Sequence, residues 1–150
     1  MIPALFIAHG SPMVAIEDSE YARYLEELGR TFPRPKAIVL FSAHWESGVQ
    51  MVSEIDDYSM IYDFGGFPDE LYRVQYPAKG DKALSRQIQR LLTDAGIANS
   101  PELTRGLDHG SWTILNRIYP QADIPLIAMS VNPHLSPEEQ YRIGQALSLL

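Results

Sequence analysis

The sequence predicts an α/β fold, with a central mainly parallel or mixed sheet flanked by helices and a domain left incomplete. Three observations carry that expectation. Apolar runs at 2–8, 37–43 and 124–131 lack helical periodicity and are bounded by turn-forming residues, as strands buried on both faces are. Segments between and after them place apolar residues every three or four positions, the stripe of an amphipathic helix. The chain stops at Ala146-Leu147-Ser148-Leu149-Leu150 with no breaker or polar tail, which reads as a cut ending.

Composition narrows the function classes. With 150 residues, 45% hydrophobic and 21% charged, one globular core is expected. A formal charge of -7, with twelve Lys and Arg scattered along the chain, argues against nucleic acid or an anionic membrane as partner. Small molecules or other protein chains remain. Cysteine is absent, so disulfides and thiolate metal sites are excluded, and any metal must sit on carboxylates or on the four histidines. The start has no basic leader and no run is long enough to span a bilayer, so a cytoplasmic protein is expected.

Taken in order, run 2–8 breaks off into His9-Gly10-Ser11-Pro12, a strand ending in a turn. Residues 19–32 carry Tyr21, Tyr24, Leu25, Leu28 and Phe32 at helical spacing, with Asp18 or Ser19 as cap and Pro33 as stop. Run 37–43 then leads into His44-Trp45-Glu46. Residues 2–43 therefore read as strand, helix, strand with a right-handed crossover, which would bring His9 and His44 out side by side at one sheet edge. Residues 49–54 and 58–62 suit a hairpin or edge strands. The loop Tyr62-Asp63-Phe64-Gly65-Gly66-Phe67-Pro68 is unusually aromatic. Its Asp-Phe-Gly tripeptide matches a kinase magnesium motif, but no glycine-rich loop or catalytic loop accompanies it, and that reading is discarded.

A helical turn is expected over 69–74 and a helix over 82–95, with Leu84, Ile88, Leu91 and Leu92 on one face and Gly96 as its stop. Gly106-Leu107-Asp108-His109-Gly110 leads into Trp112, Ile114, Leu115 and Ile118, placing His109 at a helix N-terminus. A last helix is expected over 136–150, with Ser136, Glu138 and Glu139 in its first turn.

Each candidate side chain has a bland reading beside the chemical one. His9 or His44 alone is a turn or strand-end histidine; together at one edge they suit a metal pair, with Glu46 near enough to act as ligand or supporting carboxylate. For His109, the helix N-terminus disfavours imidazolium and suits a proton acceptor, with Asp108 capping the helix or orienting the ring. The alternative is a polar cap without chemistry. His134 reads as a loop residue. A hydrolase built on Ser11, His109 and Asp108 lacks the nucleophile elbow, and adjacent Asp and His side chains diverge. Tyr62, Phe64, Phe67, Tyr72 and Tyr76 are core aromatics or a wall over a substrate.

With these residues placed, the sequence resembles the class III, LigB-type extradiol ring-cleavage dioxygenases, in their DOPA 4,5-dioxygenase-like group. The resemblance rests on Ala8-His9-Gly10-Ser11-Pro12, Ser42-Ala43-His44-Trp45-Glu46, the 62–68 loop with Leu71-Tyr72 and Tyr76-Pro77-Ala78, and Gly106-Leu107-Asp108-His109-Gly110 with Trp112 and Tyr119-Pro120. These four ordered motifs span essentially the whole chain. The resemblance implies a non-haem Fe(II) on His9 and His44, His109 as acid/base residue, and a catechol opened by O2 to a muconic semialdehyde-type product. Tyr62, Phe64, Phe67, Tyr72 and Asp108 would line the substrate. Zn(II) is also expected to bind such imidazoles, and more tightly than iron.

It further implies that residues 1–150 are the N-terminal portion of a single dioxygenase domain, since the family's third metal ligand comes from a C-terminal half and no segment here matches it. Weak metal binding, exposed apolar edges and either self-association or pairing with that half follow as expectations. Two competing functions stand beside this one. A tetrapyrrole chelatase-like enzyme would explain a strand running into His-Gly-Ser but not the other motifs. A non-catalytic small-molecule-binding module would keep the motifs without turnover.

Overall fold

The computed structural model describes residues 4–150. Four strands, Ile38–Glu46 (β1), Gln50–Ser53 (β2), Asn99–Glu102 (β3) and Leu126–Val131 (β4), form one sheet in the order β1-β4-β2-β3. β1 runs parallel to β4, β2 runs parallel to β3, and β2 meets β4 antiparallel. The sheet is mixed. The inner strand β4 is buried from Leu126 to Ser130, which is why 124–131 reads as a largely apolar, strand-like run.

The helices end where local chemistry stops them. Glu20–Thr31 (α1) starts at Ser19, whose hydroxyl accepts the Ala22 N–H, and ends as Phe32 turns extended before Pro33. Lys82–Asp94 (α2) is capped by Asp81 and closed by Gly96 at φ 73°. His109–Ile118 (α3) is capped by Asp108, and Pro137–Leu147 (α4) opens on a Ser136–Glu139 capping box. α1 lies so close on α3 that a Cβ at Gly29 would stand 1.9 Å from the Ile118 carbonyl oxygen. No helix among the described residues is long and apolar enough to cross a membrane.

Two expectations are corrected. Of the strand expected at 2–8, residues 2 and 3 lie outside the described residues, and residues 4–8 pair with no strand. Phe6 is fully exposed and Leu5 half-exposed, and Ala8 is held only through its carbonyl, which accepts from the Tyr21 hydroxyl at 2.5 Å. An apolar run becomes a strand only where another edge satisfies its N–H and C=O groups. β1 pairs only with β4 among the described residues and its other edge takes no strand, so the strand-helix-strand unit over 2–43 does not form among them. Of the hairpin or edge strands expected at 49–54 and 58–62, the first segment forms β2, an inner strand of the sheet, and the second reduces to one bridge, Met60 to Leu107. Conversely β3, Asn-Ser-Pro-Glu, has little strand propensity; it is an edge strand, where a proline is tolerated.

Leu5, Phe6, Phe41, Leu103, Leu149 and Leu150 are among the exposed large apolar side chains. In the core, buried tyrosines bridge the sheet to its loops. The Tyr58 hydroxyl bonds Ser53, donates to the Leu126 carbonyl and accepts the Ala128 N–H. The Tyr76 hydroxyl donates to the Tyr119 carbonyl at 3.0 Å.

Burial, then the neighbouring Asp123 and Tyr119, pushes the Tyr76 phenol from 10.0 up to about 12. Between those values the folded protein binds more protons than the unfolded chain, so stability falls as pH rises through that window. Tyr76→Phe should remove this part of the alkaline loss, about 2–3 kcal/mol at most by linkage. Urea unfolding at about pH 9 and about pH 11 measures it. Equal alkaline loss in both proteins would exclude Tyr76 as the source.

Candidate active site

The site is framed by a buried carboxylate at the start of α3. Asp108 is 2% exposed. Its Oδ1 accepts from Ser42 Oγ at 2.7 Å and from the Ser111 N–H at 3.2 Å, and its Oδ2 accepts from Arg105 Nη2 at 3.2 Å. The Arg105 guanidinium lies 5.0 Å from the centre of the Trp45 ring. Through Ser42 and Trp45 this network clamps the end of β1, and hence His44, to the first turn of α3, and hence His109.

Three histidines meet there. His9 Nε2 is 2.8 Å from His44 Nε2, and one ring nitrogen from each of His9, His44 and His109 lies within 4.8 Å of the others. The ring centres of His44 and His109 are 4.3 Å apart. Close packing is possible because position 110 is glycine: a Cβ there would sit 2.5 Å from His44 Cδ2. His9 and His44 converge as expected, although His9 arrives on an unpaired segment rather than on a neighbouring strand. His9 Nδ1 is buried without a hydrogen-bond partner among the described residues. Burial, then the facing His109 and His44, lowers the pKa of His9, so it favours a neutral ring with a free lone pair. Converging imidazoles, in a chain without cysteine, are a donor set that fits iron or zinc.

His109 is buried and held by a residue that the sequence did not single out. Asp63 Oδ1 accepts from the His109 backbone N–H at 2.9 Å and faces His109 Nδ1 at 2.8 Å. Burial pulls the Asp63 carboxyl upward, but the hydrogen bonds from the His109 backbone and ring outweigh it, and its pKa lies below the usual carboxylate value. Orientation of His109 therefore comes from Asp63, and Asp108 serves as the helix cap. The available signal was the acidic residue inside an aromatic, glycine-containing loop.

That loop brings the aromatics to the same place. Phe64 stands edge-on to His109 with centres 5.5 Å apart, and packs against Tyr72 at 4.9 Å and Phe67 at 5.4 Å. Tyr62 packs on Trp112 at 5.7 Å and its hydroxyl donates to the Val74 carbonyl. Tyr76 is buried in the core instead. Glu46 lies outside the histidine group, and His134 is exposed on its loop. Ser11 caps a short 3-10 turn at Pro12–Ala15 and takes no part in a relay.

Three histidine rings thus meet beside a wall of aromatic side chains. The family described as "Catalytic LigB subunit of aromatic ring-opening dioxygenase" matches residues 3–150, and the chain belongs to that family. Among individual relatives, the chain is 42% identical over 149 residues to the 4,5-DOPA dioxygenase extradiol of Escherichia coli K12, covering 99% of this chain and 55% of that protein. It is 44% identical to the 4,5-DOPA dioxygenase extradiol of Beta vulgaris, covering 97% of this chain and 56% of the relative. The crystal structure of an uncharacterized Escherichia coli K12 protein superposes with a TM-score of 0.72 at 34% identity, covering 90% of this chain and 50% of the other. The chain thus spans about half the length of the relatives it matches.

Proposed function

We propose that this chain carries the metal-binding and proton-handling part of an extradiol dioxygenase that opens the ring of a DOPA-like catechol with O2. The observation that supports it best is the meeting of His9, His44 and His109 against the Phe64 ring, metal-ligand chemistry beside an apolar wall. His9 and His44 are the metal ligands, and a third protein ligand comes from outside these residues. Divalent iron held there would gather the catechol oxygens and O2 at one centre and pass electrons between them. His109 receives a hydroxyl proton from the catechol and returns one later, since its ring stands beside the ligand pair and its Nε2 has no hydrogen-bond partner among the described residues. Tyr62, Phe64, Phe67 and Tyr72 offer ring faces and edges against which an aromatic substrate packs. Asp108, with both oxygens already bonded, contributes to the substrate side by holding His44 and His109 in register.

The test is metal titration of the 150-residue chain alongside oxygen uptake by any longer reading frame that contains it. His9→Ala and His44→Ala should each weaken zinc binding by about 100-fold or more and abolish catechol-dependent O2 consumption, since losing a ligand costs more than the 10–100-fold typical of supporting partners. Unchanged metal affinity in either variant would show that the ligands lie elsewhere.

A further inference from the structure

The relation between Asp63 and His109 goes beyond packing. The Asp63 side chain is 29% exposed and the His109 side chain 8%, so the contact is partly shielded from water. Asp63 is also held firmly in position. On its N-terminal side the Ile61 N–H donates to the Leu107 carbonyl at 2.7 Å, and the Ile61 carbonyl accepts from Trp112 Nε1 at 3.0 Å. The loop is therefore fastened both to the segment leading into α3 and to α3 itself. One oxygen, Oδ1, faces two nitrogens of His109, its backbone N and its ring Nδ1.

We propose that Asp63 is the positioning residue of this site, locking the His109 imidazole in the tautomer that carries its proton on Nδ1 and leaves the Nε2 lone pair free for the reacting substrate. A carboxylate with its pKa held down offers only acceptor oxygens, so the nitrogen 2.8 Å from it must be the donor. The backbone N–H bond to the same oxygen sets the carboxylate at the helix start, and the ring bond then sets the rotation of the imidazole. With Nδ1 occupied, Nε2 is the nitrogen left for proton exchange. Without Asp63 both tautomers would populate, and in the wrong one Nε2 carries a proton and cannot accept another. The assignment of a proton acceptor rests on the function proposed above, whereas the tautomer does not.

The experiment is nitrogen-15 NMR of the histidine rings in the zinc-loaded protein, comparing wild type with Asp63→Ala and Asp63→Asn, paired with steady-state oxygen uptake by the iron-loaded enzyme. In the wild type, His109 should show a protonated Nδ1 and a bare Nε2. Asp63→Ala should give a mixture of tautomers and lower kcat by about 10–100-fold with KM little changed. Asp63→Asn keeps an acceptor oxygen in place and should restore the Nδ1–H tautomer and much of kcat. An unaltered His109 tautomer in Asp63→Ala would overturn the proposal, whatever happens to thermal stability. If the tautomer shifts but no catechol is opened by any version of the protein, the function proposed above fails while the role of Asp63 stands. If ring opening proceeds at the wild-type rate in Asp63→Ala, the positioning role fails and the function stands.

Discussion

Gly110→Ala should strip the site of its metal affinity while leaving the fold standing. The added methyl would lie 2.5 Å from His44 Cδ2, 3.2 Å from His44 Nε2 and 3.3 Å from Asp108 Oδ1. Asp108 is clamped by Ser42, Ser111 and Arg105, so it has no room to yield. His44 is exposed and free to swing away, so the ring gives way by on the order of 1 Å, beyond the ~0.5 Å tolerance of a functional constellation. Position 110 is in the first turn of α3, where alanine is the better helix former by about 1 kcal/mol. Helix stability and site geometry thus pull in opposite directions. Zinc affinity should fall about 10–100-fold with a melting temperature equal to or above that of the wild type. A variant that binds zinc as tightly as the wild type would show that His44 does not need the place it occupies.

Asp108→Ala should produce the largest loss of stability among substitutions at the site. It removes the cap of α3, leaves Ser42 Oγ without its acceptor, and deprives Arg105 of its carboxylate. The Arg105 side chain is only 27% exposed, and its Nε is buried with no partner among the described residues, so water replaces the lost contact only in part. Loss of a cap together with one member of a largely buried ion pair costs about 3–5 kcal/mol. In a chain of this size that lowers the melting temperature by roughly 10 °C or more. Asp108→Asn retains the cap acceptor and should lose less. Thermal unfolding of the metal-free proteins separates the two, and equal melting temperatures for wild type and Asp108→Ala would mean that the network contributes nothing net.

Much of the architecture was legible because its causes are local. Ser19, Asp81, Asp108 and Ser136 each stand immediately before a helix whose apolar stripe is visible in the sequence, and each accepts the capping N–H it was suited to accept. β4 was legible because burial on both faces demands apolar residues, and β1 because its run of β-branched and aromatic residues, Ile38 to Phe41, suits a strand even at the sheet edge, where it is only partly buried. The segment at 2–8 has the same composition and is no strand over its described part, because strand formation needs a partner edge, and composition says nothing about which edges are available. β3 was missed for the converse reason: pairing with β2 makes Asn99–Glu102 a strand despite its residues.

The sequence by itself determined which atoms can do chemistry here. With no cysteine and four histidines, two of them closing apolar runs and one opening a helix, imidazoles stood beside carboxylates as the candidate metal ligands. Only the tertiary structure decided how those atoms are aimed. Asp108, next to His109 in the chain, turns away from the ring to cap the helix, because side chains of adjacent residues diverge. Asp63, separated from His109 by 46 positions, takes its place because the loop is fastened onto α3 by Ile61, Leu107 and Trp112. Local spacing tells what a helix start can offer; which carboxylate arrives to use it depends on how distant segments pack.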